Sequence, residues 1–159
     1  INYEKLIHDY NNKNIPVQNL LSGYIIELTG QEFDEIICLK EKLLEIGIEM
    51  EEFGDNSIII RSIPAYIEGL NPESLVREIL DNPEIHTSVY DSNPYELMKI
   101  ACKMSVKKGS SLSNFEVNAL ISNLKECDYP NTCPHGRPTI IKITKDELDK
   151  EFFRIQTNG

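Results

Sequence analysis

Between residues 23 and 80 the residue patterns predict strands and helices in a definite order, which strongly constrains the fold. The first signal is a strand over residues 23–28. Directly after it, Thr29 and Glu32 stand three residues apart, which is the spacing of a capping box that begins a helix. Gly47 then supplies the residue that most readily takes the left-handed conformation at a helix end. The sequence therefore predicts one strand followed by one long helix.

A hairpin and a second helix complete this unit. Two strands, at about 48–53 and 57–63, flank the run Gly54-Asp55-Asn56, whose residue types favour a tight turn. Asn71-Pro72 then provides the cap and the first residue of a helix over about 72–80. The five elements give a β-α-β-β-α unit.

The residues on either side of this unit are predicted to be mostly helical, because apolar residues recur at helical spacing and two further capping boxes occur. The predicted elements are a helix over 2–10, a linker over about 81–93, a helix from Pro94 to about Lys108, a helix after Ser113 with Val117, Leu120, Ile121 and Leu124 on its inner face, a strand from Thr139 to Ile143, and a final helix from Thr144 through Phe153. The fold class is therefore α+β.

The composition describes a folded, acidic protein. Hydrophobic residues make up 40% and charged residues 26% of the 159 residues, and the net charge is −10. These fractions are typical of a globular domain. An acidic surface repels the phosphate backbone, whose neutralisation supplies most of the non-specific affinity for nucleic acid. Strong autonomous DNA binding is therefore not expected, and a role on DNA would need a local basic patch or a partner.

Neither a membrane span nor a disulfide framework is indicated. The longest apolar runs, such as Ile58 to Ile60, are far shorter than the roughly 20 residues that cross a bilayer. The chain begins at Ile1 without an initiator Met, so we expect a fragment of a longer protein. In a chain without a secretory signal, cysteines favour free thiols or metal ligands over bridges, which suits the cytosol. The four are Cys38, Cys102, Cys127 and Cys133.

The run Cys133-Pro134-His135-Gly136-Arg137-Pro138 is the most informative segment. On a loop that two prolines and a glycine restrict, Cys133 and His135 can point at one ion, and thiolate with imidazole suits zinc. Two ligands do not complete a site, and such a pair also occurs as a small buried thiol beside an unrelated polar ring. Arg137 can bind a phosphate through two hydrogen bonds or form a structural ion pair.

A second segment, on a predicted helix, carries a thiol and the densest basic group of the chain. Cys102 is either a metal ligand or, more often for a single cysteine, a small core residue that packs like a hydrophobe. Lys103 and Lys107 lie one helical turn apart and Lys108 follows. These side chains can meet a DNA backbone, although solvated surface lysines are the commoner case.

In this order, the segments Ala101-Cys102-Lys103, Cys133 to Pro138 and Phe152-Phe153-Arg154 resemble the motif set of the C-terminal domain of bacterial MutL proteins that carry a nicking endonuclease. The resemblance implies a homodimer of two-lobed chains. Residues 1–22 and 82–159 would form the dimerisation and endonuclease lobe, and residues 23–81 would form an inserted regulatory lobe. We expect the helices of the second half to leave an exposed apolar surface for the dimer.

A further motif of that family would lie at the start of this chain. It reads Asp-Gln-His-Ala, then a glutamate after two residues and a second glutamate after four more. Ile1-Asn2-Tyr3-Glu4 resembles its tail, with Glu4 as the second glutamate. The aspartate, the histidine and the first glutamate, which contribute metal ligands in the family, would then precede Ile1. The fragment alone is expected to nick DNA weakly or not at all.

The chemistry that the resemblance implies is hydrolysis of a phosphodiester in duplex DNA with a bound divalent metal, zinc or manganese or both. Cys133 and His135 would hold the metal and Cys102 would lie beside them as a third thiol. Glu4 could orient a metal ligand or a metal-bound water, and three cations would orient or neutralise phosphate. The catalytic residues implied are Glu4, Lys103, Arg137 and Arg154. We expect Cys133 and His135 to approach Cys102 and Glu4 in the fold.

The resemblance also implies partners. A family motif of the form Gln-x-x-Leu/Ile-x-Pro binds the sliding DNA clamp, and here Gln18 and Leu21 match it while Gly23 replaces the proline. Further implied partners are MutS and, weakly, duplex DNA, and ATP would act through an N-terminal half that this chain lacks. The protein would be cytoplasmic and associated with the nucleoid.

Two alternatives to the enzyme remain. The first is a non-catalytic dimerisation and interaction module, in which any zinc is structural and the acidic surface receives protein partners. The net charge of −10 favours it. The second is a structural zinc ribbon, which needs four close ligands. Only Cys127, Cys133 and His135 cluster in the sequence, so this alternative is the weakest.

Overall fold

A computed structural model describes residues 1–65, 67, 69–82, 85, 94–103 and 111–152. Most of the predicted linker, the basic pair Lys107 and Lys108, and Arg154 lie outside the described residues. The helices are α1 (Asn2–Asn11), α2 (Gly30–Ile37), α3 (Lys40–Glu45), α4 (Pro72–Leu80), α5 (Pro94–Lys103), α6 (Asn114–Lys125) and α7 (Lys145–Glu151), and the strands are β1 (Val17–Glu27), β2 (Glu49–Glu52) and β3 (Ser57–Pro64). This content confirms the α+β class.

The three strands form one antiparallel sheet in the order β1-β3-β2. The predicted hairpin is confirmed, since β2 and β3 are joined by the turn at residues 54–56. Asn56 takes a left-handed conformation there, with φ of 52°. The central strand is buried on both faces, at Ile58, Ile59 and Ile60. A strand covered on both faces is a continuous apolar run, which is what the sequence has at these positions.

Strand β1 begins at Val17, earlier than the sequence predicts. An irregular segment interrupts its pairing with β3. Asn19 pairs with Ser62 and Tyr24 pairs with Ile60, so residues 20–23 stand opposite a single residue of β3. Gly23 closes this bulge with φ of 67°, in the left-handed region that glycine adopts without strain. The predicted strand starts at Gly23. In the fold this glycine lies inside a longer strand.

The single helix predicted between Thr29 and Gly47 is wrong in one respect, because the chain forms two helices there. The capping box is present: the Glu32 N–H donates to the Thr29 hydroxyl at 3.3 Å, and the Glu32 carboxylate accepts from the Thr29 N–H at 2.7 Å. At Leu39 the N–H bonds to the carbonyl of Ile36, one residue short of the helical partner. This tighter turn separates α2 from α3 and places Leu39 in the core.

One core joins the N-terminal helix to the sheet and to the helices that follow it. Leu6 of α1, Ile26 of β1, Leu75 of α4 and Leu97 of α5 belong to the same cluster of buried side chains. Helix α1 packs on α5, and the ring of Tyr10 lies edge-on to a second tyrosine ring there. The predicted helices over 2–10 and 72–80 are thereby confirmed. Within the part of the chain that is described, no helix is long and apolar enough to cross a membrane.

Residues 111–152 contain two helices that have no fully buried side chain. Both predicted capping boxes are present, at the starts of α6 and α7. Three of the four side chains predicted for the inner face of α6 are nevertheless exposed, since Val117, Leu120 and Ile121 retain 37%, 48% and 46% of their accessible surface. The fourth, Leu124, is half-buried.

The strand predicted from Thr139 to Ile143 is wrong. The chain there forms no strand, and the nearest pairing is an isolated bridge between Thr132 and Pro138. Ile140, Ile141 and Ile143 are exposed. A strand requires a neighbouring strand for its backbone N–H and C=O groups, and no strand among the described residues pairs with this segment.

Candidate functional site

The loop that carries the Cys-Pro-His-Gly-Arg-Pro run is closed by its own hydrogen bonds. The Cys133 N–H donates to the Arg137 carbonyl at 2.8 Å, and the Gly136 N–H donates back to the Cys133 carbonyl at 2.9 Å. The Arg137 N–H also donates to the Cys133 Sγ at 3.3 Å. Gly136 allows the turn because its φ is 77°. The two prolines and the glycine therefore shape a compact loop, as the sequence indicates.

Glu4 attaches the start of this loop to α1. Its Oε2 accepts the N–H of Asp128 at 2.9 Å, and its Oε1 accepts the N–H of Tyr129 at 3.1 Å. Burial acts to raise the pKa of Glu4, but these two N–H groups and the Cys127 thiol hold the pKa below its usual value. The carboxylate is therefore charged at neutral pH and both of its oxygens are in use.

A cavity of about 620 Å³ lies between α1 and the loop. Glu4 and Cys133 both line it, and so do Tyr3, Cys127 and Tyr129. The structure thus brings together two of the residues that the sequence singled out, although they are far apart in the chain. The expected approach of the Cys133 loop to the N-terminal helix is confirmed.

His135 lies on a different side of the loop from Cys133. It lines a second cavity, of about 460 Å³, together with Glu78 of α4 and Lys103 of α5. The Lys103 Nζ is 2.6 Å from the Glu78 Oε1, so this cation is paired within the chain. The loop therefore spans the space between α1 on one side and α4 with α5 on the other.

Cys102 packs against the core rather than into either cavity. It is partly buried, and burial raises the pKa of its thiol to about 12. It also lies close enough to Tyr3 to help raise the pKa of that phenol, which burial raises most. Without a metal, Cys102 is a protonated thiol at neutral pH.

The donor chemistry suits a soft divalent metal, but the described residues form an incomplete set. Cys133 and His135 are the two donor types that zinc prefers. Within residues 1–65, 67, 69–82, 85, 94–103 and 111–152, no three or more His, Cys, Asp and Glu residues are arranged to hold one ion.

The other predicted residues lie outside both cavities. Arg137 is exposed where the loop closes on Cys133. Gln18 and Leu21 are exposed on β1, and Leu21 projects from the bulge fully into solvent. Sequence reasoning missed Glu78 and the two backbone N–H groups that bind Glu4. Contacts between residues far apart in the chain leave no local pattern in the sequence.

Comparison with known proteins gives one consistent result. Residues 1–112 match a family model described as the MutL C terminal dimerisation domain. The chain is 37% identical over 98% of its length to the DNA mismatch repair protein MutL of Leptospira biflexa, 34% over 96% to that of Clostridium perfringens, and 36% over 87% to that of Listeria monocytogenes.

The chain spans about a quarter of the length of these relatives, with coverage of 25%, 23% and 24%. The matched residues include α1, the whole sheet and α5, which all contribute to the hydrophobic core of this chain. The loop at Cys133 lies beyond the family model and within the stretch shared with the full-length relatives. This chain therefore belongs to the family of MutL C-terminal dimerisation domains.

Proposed function

We propose that this domain joins two copies of a DNA mismatch repair protein through residues 112–152. The observation that carries the proposal is the exposure of large apolar side chains on this segment, where no side chain is buried. Monomeric proteins rarely expose contiguous apolar patches larger than a few hundred Å². The exposed residues are Leu112, Phe115, Val117, Leu120, Ile121, Ile140, Ile141, Ile143, Leu148 and Phe152.

The oligomeric state tests this part of the proposal. Leu120→Asp places a charge in the centre of the apolar face of α6, so the protein should dissociate to monomers at micromolar concentration in light scattering. Leu44→Asp is a matched control, because Leu44 is a 59% exposed leucine on α3, away from this segment. A wild-type protein that is already a monomer at that concentration would remove the dimer from this account.

We further propose that the same protein nicks duplex DNA with a divalent metal, to which Cys133 and His135 contribute ligands and beside which Cys102 lies. A bound metal would activate water and stabilise the charge that develops on the phosphate. Support comes from the donor types on the loop, from its attachment to α1 and from the mismatch repair relatives. Lys103, Arg137 and Arg154 supply positive charge for the DNA backbone in an otherwise acidic chain.

A second candidate function is a dimerisation and interaction module without catalysis, with at most a structural zinc. Two observations favour it. The net charge is −10, which opposes DNA binding. The described part of the chain also shows no group of three metal-binding side chains.

Nicking of supercoiled DNA by the full-length protein with manganese separates the two functions. His135→Ala should lower the rate at least tenfold if His135 is a ligand, since loss of a ligand lowers metal occupancy. Cys38→Ala is the control, because Cys38 is an exposed side chain of a metal-binding type at the end of α2 and lines neither cavity. Equal nicking by wild type and His135→Ala would leave the interaction module as the better function.

Three partners complete the proposal. Residues 18–23 would bind the sliding clamp through Gln18 and Leu21, which are both exposed on β1. MutS and an ATP-binding N-terminal half would recruit and control the activity, because the acidic domain alone holds DNA weakly. A mismatch repair protein of this kind would act in the cytoplasm.

A further inference from the structure

Glu4 is held on a rigid part of the fold. It lies in the first turn of α1, whose Leu6 is completely buried and which packs on α5. The backbone that carries the carboxylate is therefore fixed by the main core. A group that donates a hydrogen bond to this carboxylate is therefore fixed relative to that core.

The carboxylate binds backbone rather than side chains. Each oxygen accepts one N–H group, from Asp128 at 2.9 Å and from Tyr129 at 3.1 Å. Hydrogen bonds to a charged acceptor are about twice as strong as those between neutral groups. They also join residues more than a hundred positions apart in the chain. With both oxygens engaged, Glu4 is poorly placed to bind a reacting group.

The segment beyond Tyr129 transmits this attachment to Cys133. The Thr139 hydroxyl donates to the Pro130 carbonyl, and the Thr139 N–H donates to the Asn131 carbonyl at 3.0 Å. These bonds close the loop at its base, directly beside the two residues that Glu4 holds. Hydrogen bonds therefore connect the loop to its attachment point. Helices α6 and α7 on either side have no fully buried side chain among the described residues, and Leu124 of α6 is half-buried beside the same cavity.

We propose that Glu4 is a positioning residue, whose carboxylate holds the backbone at Asp128 and Tyr129 against α1 and thereby sets where Cys133 stands. The effect on nicking rests on the proposed endonuclease function, whereas the contact and its effect on Cys133 do not. Glu4 thus acts through the loop and does not touch the reacting atoms.

The test compares Glu4→Ala and Glu4→Gln with wild type in the full-length protein. The alanine removes both acceptors, and the glutamine keeps one oxygen and loses the charge. Asp9→Asn is the matched control, because Asp9 is an acidic residue of the same helix that pairs with His8 instead. Amide hydrogen exchange at Asp128 and Tyr129 and the rate of Cys133 alkylation by iodoacetamide are measured first, with exposed Cys38 as the internal reference.

In Glu4→Ala, exchange at both amides should accelerate at least tenfold and Cys133 alkylation severalfold, while exchange in β3 and alkylation of Cys38 stay at their wild-type rates. The manganese concentration for half-maximal nicking should rise about 10- to 100-fold, as is typical when support of a ligand is lost, and the maximal rate should stay within about twofold of wild type. For Glu4→Gln, the exchange rates, the alkylation rate and the manganese requirement should lie between those of Glu4→Ala and wild type. For Asp9→Asn, all of them should match wild type.

Unchanged exchange at Asp128 and Tyr129, or faster exchange with unchanged Cys133 alkylation, would overturn the proposal. The proposal would also be overturned if Glu4→Ala lost the maximal nicking rate while amide exchange at Asp128 and Tyr129 stayed unchanged. That result would indicate that Glu4 is a catalytic residue. If no protein nicks, including wild type, the endonuclease proposal fails, and amide exchange with Cys133 alkylation still decides the positioning role.

Discussion

The Nζ of Lys103 lies 2.6 Å from the Oε1 of Glu78, so the cation proposed to meet DNA already has a partner on α4. The two side chains retain 55% and 37% of their accessible surface. An exposed pair of this kind is worth only about 0.2–1 kcal/mol, so a DNA phosphate can displace the carboxylate. If this domain contacts DNA as proposed, Glu78 would compete with the phosphate for Lys103.

Glu78→Gln should raise affinity for duplex DNA by up to about fivefold, because the competing charge is removed. Binding should also become more dependent on salt, with a slope steeper by about 0.9 for the one added phosphate contact. Fluorescence anisotropy across a salt series measures both. The control is Glu73→Gln on the same helix, where the carboxylate accepts the Tyr24 hydroxyl. A gain that survives Lys103→Ala in the Glu78→Gln background would contradict this explanation.

Gly23→Ala should destabilise the sheet through two separate effects. A Cβ at this position would lie 2.7 Å from the Ile59 Cδ1 and 2.8 Å from its Cγ1, and φ is 67°. The left-handed conformation costs about 1 kcal/mol for alanine, and crowding of a buried isoleucine adds about 1–3 kcal/mol. Urea unfolding of the wild type and the variant measures the sum.

Gly54→Ala separates the two effects. Gly54 has φ of 72°, but a Cβ there meets nothing within 4 Å, so only the conformational cost of about 1 kcal/mol applies. Equal losses of stability in the two variants would show that the contact with Ile59 is relieved by local movement. Gly23→Pro should be more damaging than either, because proline cannot take a positive φ.

Acid should weaken the three capping boxes. In each, hydrogen bonds from the capping residue hold the pKa of the glutamate below its ordinary value of 4.5. Because the folded pKa is the lower one, this stabilisation is present above pH 4.5 and is lost as the pH falls through the folded pKa. The boxes pair Thr29 with Glu32, Ser113 with Glu116 and Thr144 with Glu147.

A triple replacement of these glutamates by glutamine keeps the box geometry and removes the titrating groups. It should lose less stability than wild type as the pH is lowered from 7 to about 3, a range that extends below 4.5, as measured by the urea midpoint at each pH. The control triple, Glu41→Gln with Glu49→Gln and Glu52→Gln, removes the same number of exposed charges elsewhere. Parallel losses in all three proteins would show that the boxes do not contribute to acid sensitivity.

Leu21→Ala should weaken clamp binding at least tenfold in the full-length protein. Leu21 projects fully into solvent from the bulge of β1, so its removal changes the surface and not the core. Calorimetric titration with the clamp gives the affinity, and unfolding of the variant should match wild type. Val17→Ala is the control, because Val17 is an exposed apolar residue at the start of the same strand. Equal weakening by both would place the clamp contact elsewhere on the strand.

Local signals in the sequence predicted most of the fold. The capping residues Thr29, Ser113 and Thr144 begin helices where their spacing indicates, because the hydrogen bonds they form are local. The bulge before Tyr24 and the break at Leu39 were missed. Both depend on how a side chain fits the core, which no local pattern encodes.

The site was predictable in its residue types and less so in its geometry. The Cys133 loop lies against α1 as expected from the resemblance, and Glu4 reaches it. The positions of Cys133 and His135 on different cavities were not predictable, because they follow from the turn at Gly136 and from the packing of the loop between two helices.

Residues 111–152 carry their apolar side chains outward, and this has a consequence for how the protein responds to dilution. No side chain of this segment is fully buried among the described residues. In the proposed dimer a second molecule would bury these side chains, so that share of the folding free energy would follow mass action. The melting temperature of this protein should then rise with its own concentration. Regulation of its abundance in the cell would set how much of it is folded, as well as how much is present.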